Sequence, residues 1–195
     1  MLNETVWGRE YQTAVLAFVR GVIAAELNGA PAPAAPELPP LRAKGACFVT
    51  LHDAFGGLRG CIGNLEAYEP LGDNLRHNAL NAAFRDPRFP PLEPEKLSEI
   101  RLEVSLLSAP EPIAGPEDFV VGRHGIILQQ NGRSAVFLPQ VAPEQGWDRE
   151  TTLAYLARKA GLEPSAWRDP ACRFMVFTAE VFGEDEPSGE TERSE

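Results

Sequence analysis

Apolar residues recur every three and four positions early in the chain. Tyr11, Val15, Phe18, Val19, Val22, Ile23 and Leu27 fall on one stripe, which predicts a helix over 9–27 with one buried face. Asn28-Gly29 closes it, glycine suiting the left-handed residue after a helix. Five prolines between Ala30 and Lys44 predict an extended surface crossing. The period then falls to two. Ala46–His52 and Leu58–Ile62 read as a hairpin turning through Gly56-Gly57. Pro70 opens a second helix, with Leu71, Leu75, Ala79 and Ala82 inward, and Asp86-Pro87-Arg88-Phe89-Pro90-Pro91 stops it. A helical turn is expected over 94–97. Arg101–Ser108 alternates as a strand, with Arg101, Glu103 and Ser105 on its polar face. A second hairpin pairs 126–129 with 134–138 about Asn131-Gly132. Asp148 caps a helix over 149–160 that ends at Gly161. Residues 172–181 form a nearly unbroken apolar run, which predicts one central strand.

Hairpins and helices in separate stretches predict an α+β fold, a mainly antiparallel sheet with flanking helices. A chain of 195 residues, 44 per cent hydrophobic, holds one domain or one domain with a lobe. The proline-rich crossing and the loop over 110–116 are where two lobes would divide. The net charge is −10, and half of it lies in residues 183–195, which carry six acids and one base. That stretch reads as a disordered acidic tail on a domain of residues 1–182. An acidic chain without a basic stripe argues against nucleic acid as a partner. The apolar run from Val15 to Leu27 is short and broken by Arg20, so no membrane span is expected. Three cysteines and no leader pattern after Met1 point to the cytoplasm, with the thiols reduced.

Candidate chemistry gathers at Leu58-Arg59-Gly60-Cys61-Ile62-Gly63. Strict alternation places Arg59, Cys61 and Gly63 on one face, so a guanidinium would project beside a thiol and favour the nucleophilic thiolate. The same thiol also reads as a small buried hydrophobe. Gly60 and Gly63 weaken a strand and need a reason, either close approach of a ligand or tight packing. If residues 54–57 form a four-residue loop, Thr50 faces Cys61 and His52 faces Arg59. His52 then stands diagonally from the thiol as a base, and a one-residue slip removes it. Asp86 and Arg88 flank Pro87, either as a helix stop or as a carboxylate orienting an arginine at an anion. Glu103 is an acid–base candidate if its strand adjoins the hairpin. His124, between Gly122 and Gly125, is a loop candidate for ligand contact. There is no Gly-x-Gly-x-x-Gly, phosphate loop, His-Glu-x-x-His or Cys-x-x-Cys, so neither a cofactor nor a metal is expected.

Together these pieces resemble the AMMECR family. The resemblance rests on Leu58–Gly63, Asp86–Pro91, Glu103-Val104-Ser105, Gly122-Arg123-His124-Gly125, Leu138-Pro139-Gln140-Val141, Trp147-Asp148 and Lys159-Ala160-Gly161-Leu162, in the family's order over residues 10–182. It implies two lobes around a cleft, with the hexapeptide as the family's hallmark. In its bacterial form, the AmmeMemoRadiSam system, the family keeps company with a Memo-like protein and a radical S-adenosylmethionine protein. That implies a ligand- or partner-binding component of a modification pathway, taking a small anionic ligand through Arg59, Gly60, Gly63, Asp86, Arg88 and His124. The alternative is an enzyme, with Cys61 as nucleophile or redox centre and His52 or Glu103 moving a proton. Whether it is an enzyme stays open at this level.

Overall fold

The structure, a computed structural model, describes residues 8–184. In chain order it has α1 (Arg9–Leu27), α2 (Pro39–Arg42), β1 (Ala46–His52), β2 (Leu58–Gly63), α3 (Leu71–Phe84), β3 (Arg101–Leu107), β4 (Glu111–Ile113), β5 (Gly125–Gln130), β6 (Arg133–Phe137), α4 (Val141–Glu144), α5 (Arg149–Lys159), β7 (Arg173–Phe177) and β8 (Ala179–Gly183). The fold is α+β, with two four-stranded sheets ordered β2-β1-β3-β8 and β4-β7-β5-β6. The chain divides into two compact units. One runs through Leu106 and resumes at Val181; the other is Leu107–Glu180.

In the first unit, α1 and α3 contribute to a single apolar core with the sheet. Val15, Val19 and Ile23 of α1, Leu75 and Ala79 of α3, Cys47, Val49 and Leu51 of β1, and Leu102 and Val104 of β3 all meet in it. Each large aliphatic side chain withdrawn from water contributes about 1.5–3 kcal/mol. Arg20, which interrupts the apolar run, ties this unit together. Its guanidinium donates to the carbonyls of Leu97 at 2.9 Å and Ile100 at 3.0 Å, and to both oxygens of Glu184. Glu184 in turn accepts the Leu102 N–H at 2.9 Å. In the second unit, Leu153, Leu156 and Ala157 of α5 pack on Ile126 and Leu128 of β5, Ala135 of β6 and Phe174 and Val176 of β7. Asp148 caps α5 by accepting the Thr151 N–H at 2.8 Å.

Three expectations change. The apolar run over 172–181 is two strands in different sheets. It breaks at Thr178, whose carbonyl accepts the Ser108 N–H at 2.9 Å and whose N–H donates to Ser108 Oγ at 3.0 Å. β7 lies inside the second sheet and β8 at the edge of the first. An apolar run records burial, and burial does not record which sheet a strand joins. The proline-rich crossing does not divide the units: it lies within the first and contains α2, begun by Pro39 and Pro40. The division falls instead at residues 106/107 and 180/181. Of the expected tail, Gly183 belongs to β8 and Glu184 holds Arg20; residues 185–195 lie outside the described residues.

Candidate functional site

Strand β2 pairs with β1 in antiparallel register: Thr50 faces Cys61, Leu51 faces Gly60, and His52 faces Leu58. The register shifts between Leu51 and His52. Arg59 is the surplus residue of a bulge, and a bulge re-aims its side chain. This corrects the alternation that set Arg59 beside Cys61 and His52 opposite Arg59. Arg59 Nη2 instead donates to the Pro90 carbonyl at 2.7 Å, and Nη1 is buried without an acceptor.

The guanidinium at Cys61 belongs to Arg88, from the segment that stops α3. Asp86 is buried and accepts the Cys61 N–H at 3.0 Å, while Arg88 Nη2 donates to the Cys61 carbonyl at 3.0 Å. Arg88 is gripped by both carboxylate oxygens of Asp86, at 2.9 and 2.6 Å. In an antiparallel strand the N–H and C=O of one residue point the same way. The Asp86–Arg88 pair therefore occupies the place of a neighbouring strand at residue 61 and shields the sheet edge there. With Arg59 bound to Pro90, the two motifs form a reciprocal clasp. The hydrogen bonds from Arg88, with those from the two backbone N–H groups, outweigh burial and hold the Asp86 carboxyl well below the usual carboxylate range. The same pairing pushes the Arg88 guanidinium up.

Both glycines have packing reasons. A Cβ on Gly60 would stand 2.2 Å from the Ala82 carbonyl oxygen of α3. One on Gly63 would meet the Phe48 ring at 2.3 Å and the Cys47 carbonyl oxygen at 2.5 Å. The space a ligand would need over Gly60 is filled by helix backbone. Cys61 is half-buried, and its thiol sits 3.3 Å from Thr50 Oγ1, as expected for a side-chain pair facing across the ladder.

Two cavities open beside the hairpin. One, of about 360 Å³, is walled by Arg59, Pro90, Pro91, Phe55, Glu93 and Ile100, with Phe55 97% exposed at the hairpin tip. The other, of about 240 Å³, takes in His52, Glu103 and Glu184. His52 Nε2 lies 3.9 Å from Glu103 Oε2. The structure therefore joins His52 to Glu103 across β1 and β3, while the hydrogen-bond partner of the Cys61 thiol is Thr50.

The AMMECR1 family model matches residues 16–182, a stretch that runs through both units. The chain belongs to the AMMECR1 family. It is 44% identical over 164 residues to a protein of Thermococcus gammatolerans, covering 80% of each chain. It is 43% identical over 164 residues to one of Methanopyrus kandleri, covering 78% of this chain and 79% of that one. A crystal structure of an uncharacterised Pyrococcus horikoshii protein superposes with a TM-score of 0.79 at 36% identity, covering 91% of this chain and 93% of that one.

In this AMMECR1 chain His124 sits in the second unit. Its Nδ1 accepts the Val120 N–H at 3.2 Å, and burial lowers its pKa. Its visible work is closing the turn at Gly122, whose φ is +81°. Sequence reading missed a buried amide cluster. Asn74 Oδ1 accepts from the Cys47 N–H and thiol, both at 3.1 Å. Asn74 and Asn78 both donate to Asn64 Oδ1, at 2.6 and 2.9 Å. Asn74 also reaches Glu69 at 2.9 Å, and Glu69 meets His77 Nδ1 at 3.0 Å. Burial pushes the Cys47 thiol up to about 12. The signal was available: Asn74 and Asn78 are four apart beside the apolar stripe of α3, where polar groups need partners. Among the described residues no three His, Cys, Asp or Glu side chains converge as metal ligands, and no helix is long and apolar enough to cross a membrane.

Proposed function

We propose that this AMMECR1 protein is a binding component, taking a ligand or partner beside the Leu58–Gly63 strand. Its partners are a Memo-like protein and a radical S-adenosylmethionine protein of one modification pathway. The observation that carries the reading is Arg59. Its guanidinium stands at a cavity wall with a backbone carbonyl as its acceptor and, among the described residues, no carboxylate. A half-buried cation without a counterion is costly, and an incoming anion would offset that cost. The polar groups of Asp86 and Arg88 are already satisfied by Cys61, which suits a rigid platform better than a reacting centre. The test is capture of the two companion proteins, with thermal melts as the control for folding. Capture survives Cys61→Ser and fails with Arg59→Ala; a folded wild-type protein that captures neither companion overturns the reading.

One arrangement favours the enzyme alternative: a hydroxyl 3.3 Å from the Cys61 thiol, with the Arg88 guanidinium on that residue's carbonyl. On this reading Cys61 alkylates faster than Cys47 and Cys172 below about pH 7. Equal rates for the three thiols remove it.

A further inference from the structure

The charges around the Arg59 cavity do not cancel in place. Asp53 is committed to its own turn, its Oδ1 accepting the N–H groups of Phe55 and Gly57, both at 2.8 Å. Lys96 is paired with Glu99 at 2.8 Å and lies within the field of Glu93 and Glu95 as well. Acids therefore outnumber the lysine on that wall. The Glu93 side chain is exposed, with no hydrogen bond or ion pair among the described residues. Arg59 carries the opposite surplus at the β2 wall. Pro90, Pro91, Ile100 and Phe55 line the same cavity with apolar surface.

A purely anionic ligand would be drawn to Arg59 and repelled by Glu93. A purely cationic one would meet the reverse. A molecule bearing both charges offsets both surpluses, and an apolar body suits the proline and phenylalanine walls. We infer that this cavity takes a small zwitterion with an apolar body, of the class of apolar α-amino acids. The carboxylate faces Arg59, the ammonium faces Glu93, and the body lies against Pro90, Pro91 and Phe55. The inference rests on the binding reading above and adds the ligand class.

The experiment is calorimetric titration of the whole protein with L-phenylalanine, with 3-phenylpropionate, which lacks the ammonium, and with phenethylamine, which lacks the carboxylate. L-Phenylalanine binds saturably, and each truncated analogue binds about tenfold or more weakly. Glu93→Gln weakens L-phenylalanine and leaves 3-phenylpropionate equal or tighter. Phe55→Ala weakens L-phenylalanine several-fold, and its exposure keeps it from disturbing the fold. Absence of saturable binding by the folded protein overturns the inference. So does 3-phenylpropionate binding as tightly as L-phenylalanine, or Glu93→Gln weakening both alike. If companion capture persists while L-phenylalanine fails, the ligand class falls and the binding component stands. If L-phenylalanine binds and neither companion is captured, the pathway partnership falls alone.

Discussion

The two units are held together by different means. The second is apolar inside: α5 lies on β5, β6 and β7 through leucine, isoleucine, valine and phenylalanine, and Gln130 and Thr152 are its buried polar side chains. The first has an apolar core of the same kind but adds partnered polar groups. These are the Asn64–Asn74–Asn78 cluster, in which Asn74 and Asn78 are buried, the clasp of buried Asp86 with exposed Arg88, and the half-buried Arg20–Glu184 tie. Buried polar groups are costly unless fully partnered, and when partnered they admit few alternative arrangements. Unit one thus gives up some tolerance to hold one strand edge, β2, in one geometry. That strand carries Leu58–Gly63, so the polar investment and the candidate site coincide.

The largest effect is expected at Gly60. In Gly60→Ala the new methyl collides with backbone that no rotamer change can move, so α3 must lift from the sheet. The loss is about 3 kcal/mol or more, read by chemical denaturation. A near-neutral result would mean that the helix–strand contact is slack and the glycine is kept for something else. In the apolar unit, Leu153→Ala, at a fully buried position, costs about 3 kcal/mol by cavity formation and leaves the pH dependence unchanged.

Asp86→Asn comes next, at about 2 kcal/mol, since it leaves Arg88 and the Cys61 N–H poorly matched. Its signature is in pH. The Asp86 pKa is depressed in the folded state, so its stabilisation is present above the unfolded value of about 3.9 and is lost as pH falls below it. The variant melts less steeply with acid than the wild type. Equal acid slopes would show that the clasp contributes no ionic stabilisation. Cys47 works in the opposite sense. Its thiol is raised to about 12, so the unfolded chain ionises first and stability falls as pH rises from about 8.5. Cys47→Ala flattens that alkaline slope. The smallest effect is at the α5 cap, where Asp148→Ala removes one exposed capping hydrogen bond. If it matched Asp86→Asn, the contrast between a buried polar clasp and a surface cap would disappear.

Most elements were legible in the sequence because each depends on local periodicity. The stripe from Tyr11 to Leu27 and the cap at Asp148 depend on neighbours within one or two turns, and the helices stand where those signals put them. Thr50 does stand opposite Cys61, but not for the reason read from the loop: His52 pairs with Leu58 across five residues, 53–57, rather than four, and the bulge restores the pairing. The bulge at Arg59 was not legible, because one surplus residue in a ladder leaves composition and alternation unchanged while it re-aims a guanidinium. The break at Thr178 was hidden for a similar reason, since both halves of the run are apolar and only pairing partners distinguish them. The sequence alone brought forward a thiol, two arginines and an acid as candidates. Tertiary structure decided that Arg88 rather than Arg59 serves Cys61 and that Arg59 faces a cavity. Contacts across 25 to 31 residues of chain are set by how helix and strand pack, and no local rule encodes that.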